Sequence, residues 1–108
     1  MSRTPRLPAY LDVWLCNIPF RNCTDPRPWV VVEANPPHYK VVPLSASDLR
    51  TSWDFPIEMS HPNFRVTGLA RDSFAILELQ DVGQADFMKW KGRLEGQLAI
   101  EFEKWMDS

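Results

Sequence analysis

The fold is decided by residues 27–45, which read RPWVVVEANPPHYKVVPLS. Residues 29–34 open with an uninterrupted apolar run, WVVV, which is typical of a strand covered on both faces. Residues 35–38 combine an asparagine with two prolines, which favours a turn, and residues 39–44 are again rich in β-branched and aromatic side chains. Pro43 has no N–H to donate, so it predicts a strand end or a sheet edge. The stretch therefore predicts two successive strands joined by a short turn.

Shorter segments on either side have a similar β character. Residues 11–18 and 73–79 are rich in β-branched and aromatic side chains, and residues 55–59 form a short extended segment that contains a proline. Residues 19–28 and 45–54 are expected to be loops, because they are polar or rich in turn-forming residues. Several short strands at this spacing predict a small β-barrel or a sandwich.

The C-terminal stretch has a different period. Its apolar side chains recur at intervals of four, four and three residues, at Leu94, Leu98, Phe102 and Trp105. These intervals place them on one face of an α-helix. Because glycine weakens a helix, we expect the helix to begin near Gly96 or Gln97.

Length and composition are those of one compact domain. The chain has 108 residues, of which 44% are hydrophobic, and this is enough to build a core. We expect residues 1–9 to be a flexible tail and residues 10–108 to form the domain. No apolar run approaches the roughly 20 residues that span a bilayer, and the N-terminus lacks the apolar stretch of a signal peptide. The sequence therefore predicts a cytoplasmic protein.

Cysteine and histidine are too few and too scattered to predict a metal site. Cys16 and Cys23 are the only cysteines, and in the cytoplasm both are expected to be structural thiols. His38 and His61 are the only side chains with an ordinary pKa near neutrality, and both lie beside prolines in apparent loops. The sequence contains no pattern of a Ser-His-Asp triad, a phosphate-binding glycine loop or a zinc site.

The charge balance constrains any role in nucleic-acid binding. The formal net charge is −2, whereas proteins that bind nucleic acids usually carry a basic excess that neutralises phosphates. An RNA-binding surface on this chain must therefore be a local patch.

Short motifs follow one another along the chain in a recognisable order. They are DVWL at 12–15, RPWVVV at 27–32, VPLS at 42–45, FPIEM at 55–59, TGLARDS at 67–73 and KGRL at 91–94. In this order and spacing the chain resembles the PemK/MazF-like toxin family over about residues 11–105, with Leu11 where the family has glycine. The resemblance implies a mainly β fold, an SH3-like barrel of the CcdB/Kid/MazF type with a C-terminal helix.

The resemblance also implies an activity. The implied protein is the toxin of a type II toxin–antitoxin system. Such a toxin is a metal-independent endoribonuclease that cleaves single-stranded RNA, usually mRNA, and it needs no cofactor. Members of the family act as homodimers and are neutralised by a cognate antitoxin. In such cleavage the ribose 2′-hydroxyl loses a proton and attacks the adjacent phosphate, and the leaving 5′-oxygen gains a proton. The extra charge on the phosphorane then needs a fixed cation or hydrogen-bond donors.

Three residues occupy the positions at which the family carries out this chemistry. Arg27 would stabilise the phosphorane with its guanidinium fork, and Ser45 would hydrogen-bond the reacting phosphate. Glu78 would act as a base or orient the RNA. Each residue also has a simpler interpretation, because an arginine can stack on a surface ring, a serine can cap a loop and a glutamate in a strand can face solvent.

Trp53, Arg21 and Arg71 are the candidates for RNA binding. Trp53 lies in a polar segment, where its ring is available to stack on a base, whereas Trp14 and Trp29 lie within predicted strands and are expected in the core. The two arginines are suited to phosphates, although Arg71 could equally form a local ion pair with the aspartate that follows it.

Two other functions are compatible with the sequence. A CcdB-like DNA gyrase-binding toxin shares this fold and uses a C-terminal helix that ends in an aromatic residue, a position that Trp105 matches. Packing of Trp105 against the barrel would explain it equally well. A catalytically silent PemK-like protein with a binding or regulatory role would agree with the acidic charge balance and with the short loop at residues 21–26.

Overall fold

The computed structural model describes residues 6–21, 23–46 and 53–108. The elements in chain order are β1 (Asp12–Cys16), β2 (Arg27–Asn35), β3 (His38–Ser45), β4 (Phe55–Ile57), a 3-10 turn (Arg65–Thr67), β5 (Ser73–Ala75), β6 (Gln80–Gly83), a second 3-10 turn (Gln84–Asp86), β7 (Phe87–Arg93) and α1 (Gly96–Met106). Residues 1–5 of the predicted tail and residues 47–52 of the predicted loop lie outside the described residues. No helix in the described ranges has the length and apolar character needed to cross a membrane.

The strands form an antiparallel, seven-stranded sheet in the order β4-β5-β3-β2-β1-β7, and β6 pairs with β3 beside this path. The predicted pair of strands around residues 35–38 is confirmed as the β2–β3 hairpin. Along its other edge, β3 pairs with β6 over His38–Val41 and with β5 at Leu44 and Ser45. Pro43 was predicted at a strand end or a sheet edge, and instead it lies inside β3. It occupies the gap where the partner changes from β6 to β5, so its missing N–H is tolerated there.

Both faces of the β2–β3 hairpin are buried, as its apolar run predicts. One hydrophobic cluster contains Val30, Val42 and the buried face of α1, including Leu98 and Phe102. The other contains Trp29, Val31, Tyr39, Val41 and the side chains that cover them from β1, β5 and β6. Successive residues of one strand therefore serve different clusters, because side chains alternate across a strand.

The prediction of one strand over residues 73–79 is wrong at its C-terminal half. β5 ends at Ala75, and the N–H of Glu78 donates to the carbonyl of Ile76 at 2.7 Å, which closes a tight turn. β5 and β6 follow one another in the same direction along one edge of β3, but the four residues 76–79 stand opposite only two residues of β3, 42 and 43, so the chain has to bulge out of the sheet here. Residues 80–93, which the sequence did not mark as strands, form β6, a 3-10 turn and β7.

The C-terminal helix begins at Gly96, as predicted, and it ends at Met106. Leu98 and Phe102 are buried on its inner face, and the ring of Phe102 lies edge-on to that of Phe55 with centroids 5.4 Å apart. The predicted apolar face of the helix is confirmed for Leu98, Phe102 and Trp105, whereas Leu94 is buried in the same core but lies before the helix begins.

Leu11 has a backbone that favours glycine. Its φ is 68°, in the left-handed region. Its N–H donates to the carbonyl of Val31 at 2.8 Å, and its carbonyl accepts the N–H of Leu94 at 2.9 Å. This conformation costs an L-residue roughly 1–2 kcal/mol. The side chain is buried in the core beside α1, and burial of a leucine contributes about 1.5–3 kcal/mol, which offsets the cost.

Candidate functional site

The β2–β3 hairpin brings Arg27 and Ser45 together. β2 begins at Arg27 and β3 ends at Ser45, and the antiparallel register pairs Trp29 with Pro43. The start of β2 and the end of β3 therefore lie at the same end of the hairpin. Both residues line one pocket of about 500 Å³.

The other walls of this pocket come from distant parts of the chain. The pocket, called the cationic pocket below, is lined by Leu15, Pro26, Arg27, Pro28, Leu44, Ser45, Ala46, Gly68, Leu69, Ala70, Arg71, Ser73 and Lys91. Arg71, predicted to bind RNA, thus lies in the same pocket as Arg27 and Ser45. Lys91 and Ser73 were not among the predicted site residues, and the motifs KGRL and TGLARDS that contain them were the signal that could have found them.

Close backbone packing positions the wall at residues 68–71. Gly68 has a φ of 74°, and a Cβ there would lie 2.0 Å from the carbonyl oxygen of Lys91. A Cβ on Gly92 would lie 2.1 Å from the carbonyl oxygen of Val66. Only glycine fits at these two contacts, so the turn before β5 lies directly on β7. This contact brings Arg71 and Lys91 to the same pocket.

The guanidinium of Arg27 rests on the buried ring of Phe20. Its Cζ lies 4.9 Å from the ring centroid, and the Cζ of Arg21 lies 4.8 Å from the same centroid. Phe20 in turn packs edge-on against Trp29. The Nε of Arg27 is buried and makes no hydrogen bond to a described residue. An aromatic face therefore holds a half-buried guanidinium in place.

The pocket is positively charged although the protein is not. Arg27, Arg71 and Lys91 line it, and none of them forms an ion pair with a carboxylate of residues 6–21, 23–46 or 53–108. Asp72 is engaged elsewhere, because its carboxylate accepts the N–H of Met59 at 2.6 Å. No described lining residue is an acid or a histidine. This is the local basic patch that a net charge of −2 requires of an RNA-binding surface.

Two hydroxyl groups accompany these cations. Ser45 ends β3 opposite Phe74 of β5. The Oγ of Ser73 donates to the carbonyl of Arg71 at 3.0 Å, which ties the turn that carries Arg71 to the start of β5. A pocket with cations and hydroxyls can bind a phosphate group and stabilise added negative charge on it.

The remaining predicted site residues lie in a second pocket or beside it. This aromatic pocket, of about 560 Å³, is lined by Trp53, Asp54, Ile76, Leu77, Glu78, Trp105 and Ser108. The ring of Trp53 is exposed, and its carbonyl accepts the indole N–H of Trp105 at 2.8 Å. Glu78 forms an exposed ion pair with Arg21 at 3.1 Å. The structure therefore does not place Glu78 in the cationic pocket with Arg27 and Ser45.

The histidines and cysteines lie away from the cationic pocket. His61 bonds to Glu101 of α1 at 3.1 Å and accepts the N–H of Asn63, so it ties a loop to the helix. His38 begins β3, at the opposite end from Ser45. Burial raises the pKa of the Cys16 thiol to about 12, and the charge of Asp86 adds to the effect, so this thiol stays protonated at neutral pH.

Metal-binding side chains are not grouped in the described residues. Cys16 and Cys23 are free thiols, and no set of three or more His, Cys, Asp or Glu side chains in the described ranges is placed to hold a metal ion. The described lining of the cationic pocket lacks the carboxylates that a divalent cation prefers.

Comparisons with known proteins give matches in structure and none in sequence. No protein-family model matches the chain, and no curated protein matches it. The Mycobacterium tuberculosis toxin MazF-mt6 superposes with a TM-score of 0.67, over 88% of this chain and 91% of that one, at 13% sequence identity. The chain has the MazF fold.

Two further structures support the MazF fold. An endoribonuclease from mycobacterial species has a TM-score of 0.67 and 12% identity, over 94% of this chain and 88% of that one. An endoribonuclease in complex with its cognate antitoxin, also from mycobacterial species, has a TM-score of 0.66 and 12% identity, over 92% and 90%. The predicted β-barrel of the CcdB/Kid/MazF type with a C-terminal helix is confirmed.

Proposed function

We propose that this protein is a metal-independent endoribonuclease that cleaves single-stranded RNA and that it is the toxin of a type II toxin–antitoxin pair. The observation that carries the proposal is the cationic pocket, where Arg27, Arg71 and Lys91 have no carboxylate partner among the described residues. A phosphodiester would supply the missing negative charge. The structural neighbours with this fold include proteins named as a toxin and as endoribonucleases, and this supports the proposal.

Arg27 is assigned to the reacting phosphate. When the 2′-oxygen attacks phosphorus, the phosphorane gains negative charge before the bond to the 5′-oxygen breaks. A guanidinium held on Phe20 is already oriented toward such a charge, so little reorganisation is needed in the transition state. The products would be a 2′,3′-cyclic phosphate and a free 5′-hydroxyl.

Ser45 is assigned to a hydrogen bond with the same phosphate, since it lies across the hairpin end from Arg27. The described lining of the pocket includes no carboxylate or imidazole to act as a general base. We therefore assign the rate enhancement mainly to stabilisation of charge rather than to proton abstraction by a side chain.

The RNA would extend from the cationic pocket toward the aromatic pocket. Phe20 and Arg21 connect the two, because Phe20 contacts Arg27 while Arg21 pairs with Glu78. Trp53 is 83% exposed, so a base can stack on its ring. Arg71 and Lys91 would bind the phosphate backbone.

Two protein partners belong to the proposal. A cognate antitoxin with an acidic segment would compete with RNA for the cationic pocket, because carboxylates pair with the same arginines. A second copy of the chain would cover the apolar side chains that lie near the aromatic pocket, where Leu77 and Leu79 are each 49% exposed. We place this homodimer in the cytoplasm, where mRNA is available.

The gyrase-binding alternative has less support. Trp105 packs against Phe55 and Phe102 with ring centroids 5.6 and 5.5 Å apart, and its indole N–H is bonded to Trp53. These contacts explain Trp105 as part of the packing of α1 on the barrel.

The test is cleavage of a mixed-sequence single-stranded RNA by the purified protein in the presence of a metal chelator. Arg27→Ala is expected to lower the cleavage rate about 10²–10³-fold, because it removes the charge that stabilises the phosphorane. Arg93→Ala is the matched control, since Arg93 is exposed, is paired with Glu95 and does not line the cationic pocket. We expect its rate to stay within about threefold of the wild-type rate.

Two outcomes would contradict the proposal. Full cleavage by Arg27→Ala would remove Arg27 from the site. Binding of RNA by the wild-type protein without cleavage would favour the catalytically silent alternative.

A further inference from the structure

Lys91 lies at an irregularity of β7. The residues on either side of it pair with consecutive residues of β1, Val13 and Trp14, so Lys91 is the extra residue of a β-bulge. A bulge bends its strand and redirects the extra residue. Lys91 lines the cationic pocket, whereas Lys89 of the same strand is not among the lining residues.

The turn that carries Arg71 is built against this bulge. A Cβ on Gly68 would meet the carbonyl oxygen, the carbonyl carbon and the Cα of Lys91. Three residues further on, Arg71 has its carbonyl held by the hydroxyl of Ser73. Arg71 and Lys91 therefore belong to one rigid wall, on the side of the pocket formed by β7 and the turn, while Arg27 comes from β2.

The charge in the pocket exceeds what one phosphodiester can neutralise. A phosphodiester carries a single negative charge, and the pocket holds the positive charges of Arg27, Arg71 and Lys91. Like charges held near one another repel, so the cations left without an anion would oppose the closely packed arrangement of this wall. A ligand with a second phosphate removes that repulsion.

We propose that Arg71 and Lys91 bind the phosphate next to the one held by Arg27 and Ser45, so that the site takes two successive phosphates of one strand. This inference rests on the proposed function for the identity of the strand. It restricts the substrate class to oligonucleotides that continue at least one nucleotide beyond the reacting linkage, and dinucleoside monophosphates would be poor substrates.

The test measures binding without cleavage, with a mixed-sequence single-stranded DNA that lacks the 2′-hydroxyl. Lys91→Met is expected to weaken binding about five- to tenfold at low salt and to lower the steepness of the salt dependence by about 0.7, the value for one lost phosphate contact. Lys91→Arg should restore both quantities. Lys89→Met, on the same strand and with the same loss of charge, should change them less than about twofold. Thermal unfolding of each variant checks that the fold is retained.

A second probe identifies the neighbouring phosphate. It is the same DNA with neutral methylphosphonates at alternate linkages, so that a charged linkage always has neutral neighbours. The wild-type protein should bind it at least about fivefold more weakly, whereas Lys91→Met should lose little further affinity, because the contact is already gone.

The possible failures are distinguishable. If Lys91→Met matches Lys89→Met, or if the wild-type protein binds both DNAs equally, the second phosphate site is wrong, even where RNA cleavage and its dependence on Arg27 persist. If the wild-type protein shows the expected DNA binding but cleaves no RNA, the ribonuclease proposal fails and the two-phosphate site stands. Absence of binding to either DNA would overturn the inference.

Discussion

One short segment, Phe20 and Arg21, contacts residues of both the cationic pocket and the aromatic pocket, and yet the two pockets differ in charge. Phe20 supports Arg27, which lines the first pocket, and the adjacent Arg21 reaches Glu78, which lines the second. Arg27 has no carboxylate partner among the described residues, whereas Arg21 is neutralised. Of two arginines on one ring, the one without a carboxylate partner in the described ranges is the one available to an external anion.

The two pockets also differ in how firmly their walls are held. The cationic pocket lies at the ends of paired strands and beside a turn that packs closely on β7. Gly68 of the turn and Gly92 of β7 make this close packing possible. The aromatic pocket is formed by the turn between β5 and β6 and by the end of α1, and it includes the exposed Leu77. We therefore expect the first pocket to be preformed and the second to depend on a covering partner.

The largest expected effect on stability comes from Gly92→Ala, which introduces a methyl group into the close contact behind the wall of the cationic pocket. The new Cβ would lie 2.1 Å from the carbonyl oxygen of Val66, so the turn and β7 would have to separate. We expect the free energy of unfolding, measured by urea denaturation, to fall by about 3 kcal/mol. Single-strand binding should fall with it, because the same contact holds Arg71 near Lys91.

Gly83→Ala is the control for this prediction. A Cβ at Gly83, at the end of β6, would meet nothing within 4 Å. Its effect on the free energy of unfolding should be below about 1 kcal/mol. Equal losses in the two variants would mean that the contact between the turn and β7 does not hold the pocket together.

A smaller effect is expected from Leu77→Lys, which charges the surface beside the aromatic pocket. If a second copy covers this surface, the buried ammonium should raise the dissociation constant of the homodimer at least about tenfold. Sedimentation equilibrium measures the constant. Met88→Lys on β7 has a similarly exposed apolar side chain and should leave it unchanged. A monomeric wild-type protein, or the same shift in both variants, would contradict this assignment of the interface.

The smallest effect is expected from Glu78→Gln, which tests whether Glu78 is a base. Its ion pair with Arg21 is exposed on both sides, so its loss should cost less than about 1 kcal/mol of unfolding free energy. RNA cleavage should stay within about threefold of the wild-type rate. A cleavage rate lowered a hundredfold or more, with the fold intact, would support the role as a base that the resemblance of the chain to the family implies for Glu78.

The hairpin and the helix could be predicted because their signals are local. An apolar run between turn residues specifies a buried strand wherever it is placed, and apolar intervals of four, four and three specify one helical face. β6 and β7 were missed because their residues are largely polar or exposed, as in KWK at residues 89–91. They are strands because β3 and β1 offer them unpaired edges. Such pairing is decided by tertiary contacts.

The candidate site divides in the same way. Arg27 and Ser45 could be expected to meet, because they begin and end a predicted hairpin. Arg71 was named for its charge alone, and its place in the same pocket depends on the turn that packs on β7. Lys91 was missed because a bulge brings it to the pocket, and the motif KGRL that contains Lys91 does not by itself mark the bulge.

The sequence by itself determined the β2–β3 hairpin, the apolar face of α1 and the hairpin end at which Arg27 and Ser45 lie, since each depends on residues close together in the chain. Only the tertiary structure decided which cations share a pocket and which are neutralised. Arg21 pairs with Glu78 across 57 positions, and Lys91 reaches the pocket through pairing with β1. The physical reason is that an ion pair or a shared pocket depends on distance in space, which the chain settles only when its strands and turns have packed.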